Sequence, residues 1–465
     1  MITFIVALIL LIVGFFTYGV LVEKIFGIEE ERKTPALTKT DGVDFVPMSS
    51  WRIFLVQFLN IAGLGPIFGA IMGICFGPSA FLWIVFGTIF GGGVHDYLSG
   101  MMSIRKGGVS LPNIIGEELG KGVKMFMLIL SLVLLILLTT TFLSGPANLL
   151  QGLCPLGVFS PQHSAISIPI VWVLIIFGYY ALATVLPVDK LIGRFYPIFG
   201  AILLFMGLGI MVIMLGWHSA DMPEVFGTQG LANRHNAGYP IFPMMFVSIA
   251  CGAISGFHGT QSPIMARCCT NERQGRWIFY GAMVAEGILA LIWAAAAGTF
   301  FAGNGIDGID GLQNYLAEHN NNPSAVIDIV SRDWLGAVGG ILAIIGVIAA
   351  PITSGDTALR SARLIVADFL HLDQRPIPKR LVIALPLFLC VFGMVFVDFG
   401  IVWRYFAWTN QTLACFTLWA GTVWLKRNSK YQYGWLMAAI PAVFMTVVCT
   451  CYILVAPEGF NLHLW

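Results

Sequence analysis

The sequence predicts an all-α polytopic membrane protein, a single transmembrane domain over residues 1–465 with about 12 transmembrane helices. Of its 465 residues, 58% are hydrophobic and only 11% charged, and the mean hydropathy is +0.85. This is far more apolar than a water-soluble core of this size requires. A helix needs about 20 apolar residues to cross about 30 Å of hydrocarbon, and twelve stretches of the chain meet that requirement.

The twelve predicted helices follow one another along nearly the whole chain. Their approximate limits are 2–22, 52–75, 79–100, 122–143, 165–186, 195–217, 240–262, 276–302, 335–357, 380–398, 402–425 and 433–456. The first lacks the basic start and the small-residue cleavage site of a signal peptide, so we interpret it as a transmembrane helix.

The positions of the basic residues support this count. All Lys and Arg residues except Arg234, Arg332 and Arg404 fall in every second connecting segment. Because cytoplasmic loops are enriched in Lys and Arg, we expect these segments to face the cytoplasm and both termini to lie outside. The basic segments are 23–52, 101–124, 187–194, 263–276, 358–380 and 426–432.

The second predicted helix contains residues that disfavour a continuous helix. Its centre reads NIAGLGPIFGAIMG, residues 60–73. Pro66 removes a backbone donor, and Gly63 and Gly65 lower the cost of unwinding just before it. Asn60 lies at membrane depth, where a polar side chain is costly and tends to face a cavity. We therefore expect a break that lines a cavity.

The same glycines allow a second interpretation. Gly65, Gly69 and Gly73 form a GxxxGxxxG face, which lets helices approach closely. The sequence alone leaves open how much of this segment serves helix packing and how much serves a binding site.

The seventh predicted helix is interrupted in the same way by CGAISGFHGTQSP, residues 251–263. Each break begins a set of five helices, residues 52–217 and residues 240–425. Because five is odd, the two sets run in opposite directions, as an inverted repeat requires. One extra helix then lies at each end of the chain, at 1–22 and 433–456.

Broken helices at matching positions of two inverted halves are typical of the substrate site of a secondary transporter. The free amides of a half-helix that begins near Pro66 carry partial positive charge and would bind a carboxylate. An amide at Asn410 could line the cavity or cross-link helices. The predicted substrate-site residues are Asn60, Ala62, Gly63, Gly65, Pro66, Ser255, Gly256, His258, Thr260 and Asn410.

Candidate ion sites lie in the same helices. Thr353 and Ser354 could coordinate Na⁺ together with the carbonyls of Ala62 and Gly65. A helix bend whose hydroxyls bond their own backbone is the alternative. If the driving ion is a proton, the candidate carriers are Glu286, Asp356 and Asp96.

Each of these acidic residues also has a structural alternative. Glu286 could be bonded to a backbone carbonyl, and Asp356 could form a salt bridge with one of the arginines that follow it. His95 and Asp96 could form a gate on the substrate path, or a fixed His–Asp bond to a neighbouring helix.

The remaining motifs exclude several classes of function. The nine cysteines show no metal-binding spacing, and no nucleophile–base pair, phosphate-binding loop or soluble output module is present. We expect no enzymatic activity, no cofactor other than a coupling ion (Na⁺ or H⁺), and no metal beyond that Na⁺. The expected partners are the lipid bilayer and a small substrate, not nucleic acid.

Six motifs together resemble the carbon starvation protein A (CstA) family between about residues 41 and 425. They are DGVDFVP (41–47), QFLNIAGLGPIFGAIMG (57–73), LWIVFGTIFGGGVHDY (82–97), SGFHGTQSP (255–263), TSGDTALRSAR (353–363) and WTNQTLA (408–414). The chain departs from that family's longest members in being considerably shorter. It also has His95 where many relatives carry Gln before the Asp.

The resemblance implies a bacterial inner-membrane uptake system of the amino acid-polyamine-organocation superfamily, with a LeuT-like fold and a role in carbon starvation. We therefore expect a cation-coupled secondary transporter that imports a pyruvate-like carboxylate or short peptides by alternating access. The alternatives are a passive channel, which would need a continuous polar pore, and a membrane-embedded nutrient receptor.

Overall fold

The computed structural model describes residues 1–159, 168–185, 188–227, 230–303, 306–319, 321–374, 376–397, 399–457 and 459–462. In these residues the regular structure is helical, apart from two isolated β-bridges. Parts of two predicted helices, residues 165–167 with 186 and residue 398, lie outside the described residues.

The principal helices are named in chain order. They are α1 (Ile2–Phe26), α2 (Ser50–Ile61), α3 (Leu64–Ile74), α4 (Ser79–Arg105), α5 (Leu111–Leu119), α6 (Lys121–Leu153), α7 (Ile170–Val185), α8 (Val188–Trp217), α9 (241–248), α10 (Gly256–Ala266), α11 (Glu272–Phe300), α12 (Gly308–Glu318), α13 (Pro323–Leu370), α14 (Ile377–Met394), α15 (Phe399–Asn428) and α16 (Leu436–Val455).

Several of these helices are able to cross a membrane. Among the described residues, seven are long and apolar enough, or eight if α2 and α3 count as one bent span. The chain is therefore a multi-pass membrane protein.

The first break separates α2 from α3. Ala62 (φ −79°, ψ 48°) and Gly63 (φ −72°, ψ −145°) leave the helical region, and the two helices are bent by 49°. Helix α3 begins at Leu64, so Pro66 is its third residue and not its first, as the sequence suggested. Proline is tolerated there because first-turn amides have no partner inside the helix.

The second break separates α9 from α10. Helix α9 ends at Ser248 and α10 begins at Gly256, with the residues between them outside any helix. The backbone is extended at Ser255 (φ −141°, ψ 125°). Both interruptions predicted from the sequence are therefore present.

Ion pairs join the basic segments at one end of the bundle. Arg105 contacts Glu272 at 2.6 Å and Glu29 at 3.3 Å, while Arg427 contacts Glu118 at 3.1 Å. These residues come from four of the six segments that the sequence predicts to share one side of the membrane. We call this side the basic end.

Helix α11 lies inside the bundle, beside the first break. It packs against α3 and α2 on the side of the first break, and also against α4 and α8. Of the 18-residue apolar stretch of α11, 89% is buried inside the protein, compared with 28% of the corresponding stretch of α1. Any polar side chain at the centre of α11 is therefore removed from both lipid and water.

Candidate functional site

The two breaks are in direct contact. A Cβ atom added to Gly65 would overlap the side chain of Cys251, and one added to Gly252 would lie 3.7 Å from the Cα atom of Pro66. The hydroxyl of Thr88, in α4, donates to the Gly252 carbonyl at 3.1 Å. The absence of side chains at these glycines allows two unwound backbones to meet.

The glycine face of α3 serves packing as well. A Cβ atom at Gly69 would lie 2.7 Å from the Ser248 carbonyl oxygen, and one at Gly73 would overlap the Ile249 side chain. The packing interpretation of these glycines is therefore confirmed. The same face packs α3 against the second break and brings the two breaks together.

Asn410 of α15 holds the start of α10. Its Oδ1 atom accepts hydrogen bonds from the Phe257 amide at 2.7 Å and from the Ser255 hydroxyl at 3.1 Å. Gly256 packs so closely on α15 that a Cβ atom would overlap the Asn410 carbonyl oxygen. One first-turn amide of α10, that of Phe257, is thus bound by a side chain.

Several buried amide side chains near the breaks lack hydrogen-bond partners among the described residues. Asn60, two residues before Ala62, is fully buried with neither polar atom bonded. Both polar atoms of Gln411 and the Oε1 atom of Gln57 are also buried without a hydrogen-bond partner among the described residues. An unpaired buried polar group costs about 1–3 kcal/mol, so these groups are suited to meet a ligand or water.

Thr260 is the predicted substrate residue that faces its own helix. Its hydroxyl donates to the Phe257 carbonyl at 2.7 Å, and it also accepts from Gln261 Nε2 at 3.0 Å. It lies in the first turn of α10 with His258, but its hydrogen bonds stabilise that turn.

The structure places Thr353 and Ser354 beside α2. Ser354 Oγ lies 3.1 Å from the Leu59 carbonyl oxygen and 2.9 Å from the Ala350 carbonyl oxygen. Thr353 bonds the Ala350 carbonyl of its own helix at 2.8 Å. Hydroxyls and carbonyls of α13 and α2 therefore meet just before the first break. The carbonyl in contact is that of Leu59, not those of Ala62 or Gly65 that the sequence suggested.

Four ionisable side chains, all fully buried, form one row across α11, α10 and α4. Glu286 Oε2 lies 3.3 Å from His258 Nε2, and His258 Nδ1 lies 2.9 Å from Asp96 Oδ2. The second oxygen of Asp96 lies 2.7 Å from His95 Nδ1. Within the described residues, no group of three or more His, Cys, Asp or Glu is placed to hold a metal ion. The row connects three sequence candidates that are far apart in the chain.

Asp356 belongs to a separate site. Its carboxylate accepts a hydrogen bond from the Tyr196 hydroxyl at 2.6 Å. The arginines one and two turns later, Arg360 and Arg363, each lie 3.5 Å from Asp44 Oδ1.

Asp44 lies in the loop before α2, at the basic end. Burial disfavours its charged form, but the nearby Arg363 and Arg360 side chains outweigh burial and hold the pKa of Asp44 below its ordinary value. The ionised carboxylate of Asp44 therefore forms ion pairs that connect the loop before α2 to α13.

Three residues with contacts at these sites, Cys251, Tyr196 and Asp44, were not among the predicted site residues. Cys251 directly precedes Gly252 in the interrupted segment, so its position was a usable signal. Tyr196 and Asp44 stand out only through partners more than 150 residues away in the chain, and no local pattern shows such contacts.

Comparisons with known proteins identify the family of this chain. The family model "Carbon starvation protein CstA" matches residues 1–171, 162–309 and 321–452. A membrane protein of Haemophilus influenzae is 46% identical over 63% of this chain and 89% of its own length. The peptide transporter CstA of Campylobacter jejuni is 26% identical over 95% of this chain and 78% of its own length. The pyruvate/proton symporter BtsT of Escherichia coli is also 26% identical, over 61% of this chain and 47% of its own.

Among solved structures, MhsT in complex with L-phenylalanine superposes with a TM-score of 0.61 at 14% identity, covering 88% of this chain and 99% of MhsT. This likeness shows the fold alone, and it confirms the LeuT-like fold class. The family and its named relatives confirm that the chain is a membrane transporter and not an enzyme. The chain belongs to the carbon starvation protein CstA family.

Proposed function

We propose that this transporter imports a small carboxylate such as pyruvate, or a short peptide, by cation-coupled alternating access, with its substrate site between the two helix breaks. The observation that carries the proposal is the contact between the breaks. Two unwound backbones meet there, beside fully buried amide groups that lack partners in the described residues. Broken backbone at membrane depth is tolerated where it lines a cavity or binds a ligand.

A carboxylate is the group common to pyruvate and peptides. The first-turn amides of α3 point toward the break with partial positive charge. An anion can bind there without a buried Lys or Arg. The relatives' names, peptide transporter and pyruvate/proton symporter, support the same substrate class.

Transport requires the breaks to separate, because Gly65 and Cys251 leave no space between them in this conformation. Asp44 fastens the chain before α2 to α13 at the basic end, which we assign to the cytoplasm. Release of this contact would open the inner side of the site. His95 and Asp96, the gate candidates, lie in the part of α4 that leads toward the basic end.

The coupling cation has two candidate locations. Ser354 with the Leu59 carbonyl provides oxygen ligands of the kind that Na⁺ binds. The buried carboxylates of Asp96, Glu286 and Asp356 provide proton acceptors.

Uptake by purified protein in proteoliposomes tests the proposal. Labelled pyruvate and a labelled dipeptide are each offered under a proton gradient, a sodium gradient or neither. Accumulation above the outside concentration under one gradient supports the proposal. No accumulation of either probe under both gradients contradicts it, and currents far above transporter turnover would favour a channel.

A further inference from the structure

The row formed by Glu286, His258, Asp96 and His95 consists of four ionisable side chains that are all fully buried. Glu286 is the central residue of α11, ten residues from Arg276 near the basic end, or about 15 Å along the helix axis. The row therefore lies near the middle of the membrane. Charged groups at that depth are costly and tend to serve a function.

The two carboxylates of the row are not equivalent. Asp96 has one imidazole nitrogen on each oxygen, at 2.7 and 2.9 Å. Glu286 has only the 3.3 Å contact with His258, and neither of its oxygens has a hydrogen-bond partner in the described residues. Hydrogen bonds favour the ionised form of a carboxylate. Asp96 is therefore suited to stay ionised, and Glu286 is suited to change its protonation state.

Charge balance leads to the same residue. With both carboxylates ionised and only His258 cationic, the row carries one net negative charge in a dry environment. A proton on Glu286 removes that charge. A proton on His95 would instead add a second cation next to Asp96, which His258 already neutralises, and would leave Glu286 without a full counter-charge.

Other titratable groups around α11 are engaged elsewhere. Helix α3 contains no ionisable side chain. From α1, Glu23 pairs with Arg276 at 3.0 Å near the basic end, and from α8 the Tyr196 hydroxyl is bonded to Asp356. The groups that face Glu286 are therefore His258 and, beyond it, Asp96 and His95.

The row is connected to the proposed substrate site through α10. His258 is the third residue of that helix, and the amide just before it, at Phe257, is bonded to Asn410. A substrate group that takes the place of Asn410 on the first-turn amides would displace this turn. His258 would move with it, and the contact between His258 and Glu286 would lengthen or shorten.

We propose that Glu286 is the site that binds and releases the coupling proton, and that His258 transmits substrate binding at the α10 break to it. This inference rests on the proposed import function and specifies its cation. A monovalent carboxylate carried with one proton would cross without net charge, so its accumulation would follow the pH gradient and not the membrane potential.

The test compares wild type with Glu286→Gln in proteoliposomes, using labelled pyruvate and labelled dialanine. One assay measures accumulation under a gradient of one pH unit, which sustains about tenfold accumulation at one proton per substrate. The other measures exchange of labelled for unlabelled substrate without a gradient. We expect Glu286→Gln to keep exchange and to lose the tenfold accumulation. Its exchange also shows that the variant is folded.

The matched control is Glu23→Gln, which makes the same change in a carboxylate outside the row, and it should accumulate substrate like wild type. Asp356→Asn tests the competing acidic residue. Three results would each overturn the assignment while leaving the import function intact. They are tenfold accumulation by Glu286→Gln, loss of coupling in Asp356→Asn alone, and wild-type accumulation under a sodium gradient only. Absence of both exchange and accumulation in wild type would instead contradict the import function itself.

Discussion

Asn410→Ala should open the contact between the two breaks. Asn410 Oδ1 is the acceptor for the Phe257 amide and the Ser255 hydroxyl, both of which are buried at the start of α10. After truncation, both donors are unpaired in the closed conformation, whereas water reaches them once the break opens. The substitution therefore destabilises the closed conformation relative to the open one.

The size of the effect follows from these two hydrogen bonds. A buried donor without a partner costs about 1–3 kcal/mol. The Ser255 hydroxyl can turn toward another acceptor, so we count mainly the Phe257 amide, at about 2 kcal/mol. Since about 1.4 kcal/mol changes an equilibrium tenfold, the open population should rise about 30-fold.

Cys251 reports this opening directly. Its side chain is 3% exposed and lies against Gly65 in the closed break. Protein in detergent is treated with N-ethylmaleimide, and the modification of Cys251 is followed over time by peptide mass spectrometry. If opening and closing are faster than modification, the rate follows the open population, so labelling should be about 30 times faster in Asn410→Ala.

Thr412→Ala is the matched control for this experiment. Thr412 lies two residues further along α15 and donates to the Trp408 carbonyl of its own helix, so its loss should leave Cys251 as slow to react as in wild type. Equal labelling rates in wild type and Asn410→Ala would refute the assignment of Asn410 as the side chain that holds the break closed.

Two further predictions follow from contacts near the site. Gly65→Ala places a Cβ atom on the Cys251 side chain and should lower substrate uptake at least about tenfold through overpacking. Adding Cys251→Gly should restore uptake, and a double variant as inactive as Gly65→Ala would contradict the contact. Asp44→Asn removes the carboxylate that Arg360 and Arg363 share and should lower the free energy of unfolding by about 3–5 kcal/mol. The control, Asp328→Asn, changes an exposed ion pair and should lower the free energy of unfolding by under about 1 kcal/mol. Because the pKa of Asp44 is lowered in the folded protein, its stabilisation is present above the ordinary aspartate pKa and is lost only as pH falls through the lowered value. The stability difference should therefore be equal at pH 8 and pH 6, and a difference that disappears between them would contradict an ionised Asp44.

The two interrupted helices were predictable because glycine, proline and polar residues are unusual inside apolar stretches. The ends of the helices were less predictable. Beyond its kink at Gly336 (φ 66°), helix α13 continues to Leu370, whereas the apolar pattern indicated an end at residue 357. Hydropathy detects only the part of a helix that contacts hydrocarbon, and polar turns at its ends continue beyond that part.

The site was predictable one residue at a time but not as an arrangement. Glu286, Asp96 and His258 stood out because ionisable groups are rare at membrane depth. Their common row depends on how α4, α10 and α11 pack, and His258 and Asp96 are 162 positions apart in the chain. Asp44 was missed for a similar reason, since an aspartate in a polar loop is ordinary until its two arginines on α13 are known.

The most direct test of a substrate site between the breaks is a cryo-electron microscopy structure of the protein in lipid nanodiscs with saturating pyruvate, and again with dialanine. We expect the substrate carboxylate to lie against the first-turn amides of α3, between Gly65 and the start of α10, with Cys251 displaced from Gly65. Substrate bound elsewhere, with Gly65 and Cys251 still in contact, would contradict the proposed site.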